Sequence, residues 1–187
     1  DSLADQTVSV TTTDNDTVGF TLSGTTASVS ETETTDTFTV VLNSEPTDDI
    51  MLAIVSSDAG EATASPAFLT FTSTNWNTAQ TVTVTGVDDT ASDGNQTTDV
   101  TVSVLNWSSA SLAWAAVDIQ AVVVTTADDD SAGVTVAASD GGTTVTEIGG
   151  TDTFTVVLNT QPSSDVVINV SSGDTGEATV GPATLTF

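Results

Sequence analysis

The chain has no lysine, no arginine and no histidine among its 187 residues, against 26 aspartates and glutamates and a formal charge of −26. No side-chain salt bridge can form. Like-charge repulsion therefore opposes a compact state unless cations or salt relieve it. Nucleic acid and anionic membranes are poor partners, because nothing here neutralises a phosphate. The absence of lysine and arginine also leaves trypsin no bond to cut, which suits an exposed surface protein. Cysteine is missing too, which excludes disulfides and thiolate metal sites. With His, Lys, Cys and Tyr all absent, the usual general bases and nucleophiles are gone, and the chain reads as no enzyme. A glycosidase-type carboxylate pair is chemically conceivable. It would need a groove lined by aromatics, and Trp76, Trp107 and Trp114 are the only tryptophans. There is no apolar run of about 18 residues that would cross a membrane as a helix. Asp1-Ser2-Leu3 lacks the basic region of a signal peptide, so an export signal or anchor is expected outside this stretch.

What is present is Thr and Val in abundance, with Val, Ile, Leu and Phe in short regular runs that a disordered acidic tail would lack. Branched side chains favour the pleated surface of a strand. Period-2 alternation predicts seven strands. The first carries Val18, Phe20 and Leu22 and continues to Val29, and the second carries Phe38, Val40 and Leu42. The third holds Ile50, Leu52 and Ile54, the fourth Leu69 and Phe71, and the fifth Val82 and Val84. The sixth holds Val100, Val102 and Val104, and the seventh Ile119, Val122 and Val124. The expected fold is all-β, a pair of immunoglobulin-like antiparallel sheets in a sandwich.

The chain repeats itself. Thr35–Phe71 and Thr151–Phe187 agree at 22 of 37 positions with an offset of 151 − 35 = 116, and Val8–Asp16 matches Val122–Asp130 at an offset of 122 − 8 = 114. A period of about 115 residues suits whole domains in series rather than a solenoid. The expected division is 1–16 as the end of a preceding repeat, 17–130 as a complete repeat and 131–187 as the first half of the next. The chain reads as a window on a longer array.

If strands run alternately up and down, the loops Glu31–Asp36, Asp58–Thr63, Val87–Gln96 and Asp128–Asp130 gather eleven carboxylates at one pole. Aspartate is common in turns because it bonds nearby amides. Eleven acids with no base, however, call for a hard divalent cation, and Ca²⁺ accepts irregular sets of six to eight oxygens. Asp128-Asp129-Asp130 sits where one repeat hands over to the next, with Asp14-Asn15-Asp16 in the same place one repeat earlier. Ca²⁺ there would stiffen the junction.

An acidic triplet, then G-V-x-V (Gly133–Val136) or G-F-x-L (Gly19–Leu22), then V-x-E (Val145–Glu147) is followed by Ser172–Ala178, Leu69–Phe71 and Thr81–Asp89. Together these resemble the Calx-β domain. That family is a seven-stranded sandwich known from sodium–calcium exchangers and integrin β4 and recurring in large bacterial surface proteins. The resemblance implies calcium ligands at Glu31, Asp58, Asp88, Asp89, Asp128, Asp129 and Asp130, and at Glu147 and Asp174 in the partial copy. Where the family often has a glutamate after its Asp pair, this chain has Asp93-Gly94-Asn95.

The expected function is a structural repeat of a long extracellular or cell-surface fibre or adhesin, stiffened by Ca²⁺. Its expected partners are neighbouring copies of itself or further repeats of the same polypeptide, assembled as a filament. The alternative is an adhesive module that binds a carbohydrate or a protein partner through the tryptophan-bearing pole. Sequons at Asn15, Asn95, Asn106 and Asn169 leave surface glycans open.

Overall fold

A computed structural model describes residues 4–105 and 113–187. Residues 20–105 and 113–127 form a sandwich of two sheets. Its strands are β1 (Phe20–Leu22), β2 (Thr26–Ser30), β3 (Thr35–Leu42), β4 (Ile50–Ser56), β5 (Ala62–Ser65), β6 (Phe68–Phe71), β7 (Gln80–Gly86), β8 (Gln96–Leu105) and β9 (Gln120–Ala127). One sheet has the order β1-β3-β7-β5 and the other β2-β9-β8-β4-β6. Every pairing in them is antiparallel except β2 with β9, which is parallel.

The alternation of the sequence explains the layers. In β3 the inward positions are Phe38, Val40 and Leu42, with Thr39 and Val41 between them, and β7 turns Val82 and Val84 inward on either side of Thr83. Leu52 and Ile54 of β4, Phe71, Val100, Val102, Val122 and Val124 close the core from the other sheet. All of these are buried, and Val40, Leu52, Phe71, Val82, Val84, Val100, Val102, Val122 and Val124 have no accessible surface.

Nine strands replace the seven expected. The segment from Phe20 to Val29 does not continue as one strand. It breaks at Ser23–Thr25 and changes sheets, so that β1 pairs with β3 while β2 pairs with β9. A strand that was not expected, Ala62–Ser65, precedes the fourth and pairs with β7 in one sheet, while the expected fourth, Phe68–Phe71, pairs with β4 in the other. Ile119 lies outside β9 and is 68% exposed, so it belongs to the approach to the strand and not to the core.

Gly86, at the end of β7, brings the sheets together at one end. A Cβ there would overlap the carbonyl of Ser30 in β2, so only a glycine permits the approach. The Gly86 N–H donates to the Thr34 carbonyl at 3.1 Å. The turn after β2 and the loop after β7 are thereby fixed side by side.

The second copy of the repeated sequence is less enclosed. It forms two ribbons, β10 (Val134–Ala138) with β11 (Phe154–Leu158) and β12 (Val167–Asn169) with β13 (Thr184–Thr186). Phe154 is 37% exposed where its counterpart Phe38 is 3% exposed. Residues 4–19 contain no strand.

Candidate metal centre

Four connections meet beyond Gly86: the turn after β2, the entry to β5, the loop after β7 and the tail of β9. Backbone bonds tie them. Glu31 N–H donates to the Ala127 carbonyl at 3.1 Å, and Val87 N–H to the Glu61 carbonyl at 2.9 Å. The Thr126 hydroxyl donates to the same Glu61 carbonyl at 3.2 Å. The β7–β8 loop is latched to the tail, with Gly94 N–H donating to Asp128 Oδ2 at 2.7 Å and Asp128 N–H to Asn95 Oδ1 at 3.2 Å.

Within this frame one carboxylate oxygen each from Glu31, Asp128 and Asp130 lies within 4.8 Å of the others. Among the described residues no other group of this kind forms. Glu31 is 1% exposed, a rare state for a glutamate with no basic partner. Its Oε2 accepts the Asp129 N–H at 3.3 Å. Asp130 Oδ2 and Glu61 Oε2 are both buried with no hydrogen-bond partner. A buried oxygen left unmatched is costly, and the three converging carboxylates are a group that could hold a metal ion.

Electrostatics point the same way. Burial, then the charges of Asp128, Asp89 and Asp129, push the Glu31 carboxyl above its usual range, although the bond from Asp129 N–H opposes this. Burial raises Asp130 as well, reinforced by Asp128, Asp129, Asp88 and Asp89. Burial also raises Glu61, helped by Asp93, Asp58 and Asp89. These are carboxylates crowded by like charge in a partly dry site.

The residues singled out from the sequence divide accordingly. Glu31, Asp128 and Asp130 come together. Asp129 is exposed and contributes its backbone N–H. Asp88 and Asp89 are exposed beside the cluster, and Asp89 Oδ1 accepts the Ala91 N–H at 2.6 Å. Asp58 is exposed and spends Oδ1 on the Gly60 N–H at 2.9 Å. In the second copy Asp174 makes the same turn with Gly176 N–H at 2.9 Å, and Glu147 is exposed. Asp14 accepts the Asp16 N–H at 3.0 Å, and both are exposed.

Asp36, counted with the acidic pole, is a loop brace. Its oxygens accept Ser28 N–H at 3.0 Å and Thr37 N–H at 2.7 Å, which hold its carboxyl below the usual range. Asp152 repeats the arrangement: bonds from the Ser139 hydroxyl, Thr144 N–H and Thr153 N–H keep it low. Glu61 was among the eleven acids but not among the expected ligands. Only its position at the mouth of a short strand, four residues of ATAS, reveals it.

Trp114 opens a three-residue 3₁₀ turn and is 5% exposed, and Trp76 packs partly buried against the same core. Both pack against the core. Trp107 and the sequon at Asn106 lie outside the described residues. No helix among the described residues is long and apolar enough to cross a membrane.

No protein-family model matches the chain, and neither does any curated protein. Solved structures with similar backbones include the apo form of the Calx CBD1 domain, at 14% identity and a TM-score of 0.44, covering 62% of this chain and 100% of that one. The class 5 fimbriae chaperone CfaA aligns at 8% identity and a TM-score of 0.44, covering 90% of this chain and 78% of that one. SSP-19, an MSP-domain-like protein of Caenorhabditis elegans, aligns at 17% identity and a TM-score of 0.38, covering 58% of this chain and 97% of that one. Likenesses this distant assign neither family nor activity, and the fold class rests on the two sheets themselves: an all-β, immunoglobulin-like sandwich.

Proposed function

We propose that this chain is a structural repeat module of a long extracellular fibre or adhesin, in which Ca²⁺ held at the acidic pole stiffens the handover from one repeat to the next. The observation that carries the reading is the buried, unmatched oxygen of Asp130, set among Glu31 and Asp128 at the seam between repeats in a chain without one basic side chain. Glu31, Asp128 and Asp130 would hold the ion. Bound Ca²⁺ supplies two positive charges that no side chain here can provide. The protein's part is to pre-position the oxygens, and it does so with backbone N–H groups of Gly94, Asp129 and Asp130 that leave the carboxylates few other orientations.

In this reading the division is 17–130 for the complete repeat, 1–16 for the tail of its predecessor and 131–187 for the opening half of its successor. The location is the cell surface or beyond, where calcium is plentiful and a charge of −26 favours solubility. The partners are further copies of the same repeat, and the assembly is a filament.

The test is thermal melting of the full chain in EDTA and in excess Ca²⁺. A ligand that binds only the folded state adds about 2.7 kcal/mol at a hundredfold excess over its Kd. Asp130→Asn should lose most of that gain. Asp48→Asn with Asp49→Asn, at the other end of the sandwich, should keep it. A melting temperature that ignores calcium would leave a plain acidic spacer.

A further inference from the structure

The two copies of the repeated sequence touch at one ordered point. Gln161 N–H donates to the Thr90 carbonyl at 2.9 Å, and Ala91 and Gln161 form an isolated parallel bridge. Thr90 and Ala91 belong to the loop after β7 of the first sandwich. Gln161 follows β11 of the second copy. The contact is made by main chain alone, so it does not depend on the side chains at either position.

The first sandwich carries the same turn, with Asn43 and Glu45 exposed but Ser44 and Pro46 buried where Thr160 is half-buried and Pro162 exposed. Glu45 is the counterpart of Gln161, since 161 − 116 = 45. The backbone around both is held alike. Asn43 N–H donates to the Gly19 carbonyl at 2.9 Å, as Asn159 N–H does to Gly133. Thr21 donates its hydroxyl to Asn43 Oδ1 at 2.7 Å, as Thr135 does to Asn159 at 2.8 Å. Glu45 is exposed, and its N–H has no partner among the described residues. The tether is also equal: Ser131 and Ala132 separate Asp130 from Gly133, as Thr17 and Val18 separate Asp16 from Gly19. A short tether of fixed length brings the loop of a preceding copy to the same place.

We propose that the edge Asn43–Pro46 is a docking surface for the loop after β7 of a preceding copy of the same repeat, joined through the Glu45 N–H. This rests on the tandem reading above but needs no calcium. The two edges differ in charge, because Glu45 and Asp48 stand where the second copy has Gln161 and Ser164. The arriving loop carries Asp88, Asp89 and Asp93, so like charges meet and docking on the first sandwich tightens as salt screens them. The apolar floor differs too. Val134, Leu158 and Val166 line an open cavity beside Gln161, whereas their counterparts Phe20, Leu42 and Ile50 are buried. Docking on the complete repeat is therefore a contact of the rim.

The experiment is amide hydrogen exchange, residue by residue, on this chain and on the same chain extended at its N-terminus by a copy of residues 17–114, which residues 1–16 complete as a whole preceding repeat with its two-residue tether intact. In this chain the Gln161 amide should exchange slowly and the Glu45 amide fast. In the extended chain Glu45 should slow by about tenfold or more, the protection of one locally opening bond. Glu45→Gln in the extended chain should keep the protection and lessen its salt dependence. Slow exchange at the core amides of the added copy reports that the copy has folded. A fast Gln161 amide in this chain, or a Glu45 amide that stays fast behind a folded added copy, would overturn the proposal. Loss of the calcium effect on melting with Glu45 still protected would remove the cation and leave the docking surface standing.

Discussion

Glu31 and Asp129 lie 98 residues apart, and the Asp129 main-chain N–H donates to Glu31 Oε2 at 3.3 Å inside the acidic pole. The bond joins the turn after β2 to the tail of β9 and holds a nearly inaccessible carboxylate in place. Among the described residues it is the one hydrogen bond the Glu31 carboxylate receives.

Removing the Glu31 charge should therefore act in opposite directions with and without calcium. Glu31→Gln and Glu61→Gln are expected to raise the melting temperature in EDTA, because each deletes a buried charge that burial and neighbouring acids disfavour. In excess calcium Glu31→Gln should melt below the native chain. A pair of melting curves per variant checks this, and a variant destabilised equally in both buffers would count against a cation at this pole.

The acidity of the pole gives a pH profile. Glu31, Glu61 and Asp130 have folded-state pKa values above their usual ones, so the folded chain takes up protons before the unfolded chain does. Stability in EDTA should rise as pH falls from neutral through those raised values toward the ordinary carboxylate range. Asp36 and Asp152 have lowered values, so the stability they confer persists above the ordinary range and is lost as pH falls through their folded values. The expected curve has a maximum in mild acid. Saturating calcium should shift that maximum toward neutral pH, since protons compete with the ion. A melting temperature in EDTA that only declines below neutral pH would contradict the assignment.

Gly86→Ala should destabilise the first sandwich by about 1–3 kcal/mol, the range for forcing atoms into a packed site. The added Cβ would meet the Ser30 main chain, which cannot rotate away. Urea denaturation followed by tryptophan fluorescence measures it. A neutral substitution would mean that the sheets do not approach there as described.

The two copies of one sequence offer a built-in comparison. Phe38→Ala removes a fully packed ring and should cost about 3–5 kcal/mol. Phe154→Ala, at the matching position but 37% exposed, should leave the tryptophan-monitored transition unmoved. All three tryptophans precede residue 131, so that signal reports the first sandwich alone. Equal losses would mean that the copies unfold as one body.

Much of the sandwich could be read from alternation, because each of Phe38, Val40, Leu42, Leu52, Val82, Val84, Val102 and Val122 sits inward at a period of two. The sheet change at Ser23–Thr25 could not, since Leu22 and Val29 both alternate correctly and nothing local says that they serve different sheets. Ala62–Ser65 escaped because a strand of ATAS has almost no apolar signal, and Glu61 escaped with it. At the pole the composition made the gathering of acids legible. Which three would converge depends on loop geometry, and Asp58 and Asp89 each use a carboxylate oxygen on the amide two residues on.

The parallel pair of β2 with β9 has a mechanical consequence. Tension applied at the two ends of the first sandwich enters near β1 and leaves at the end of β9, so it pulls the start of β2 and the finish of β9 in opposite directions along their length. The five paired positions from Thr26 with Val123 to Ser30 with Ala127 then bear the load together in shear, where a hairpin pulled at its open end would unzip one bond at a time. Forced unfolding follows the rate of crossing the unfolding barrier. The first sandwich should rupture at higher force when pulled through its termini than when pulled through β3 and β7, and single-molecule stretching from the two attachment geometries would measure the difference.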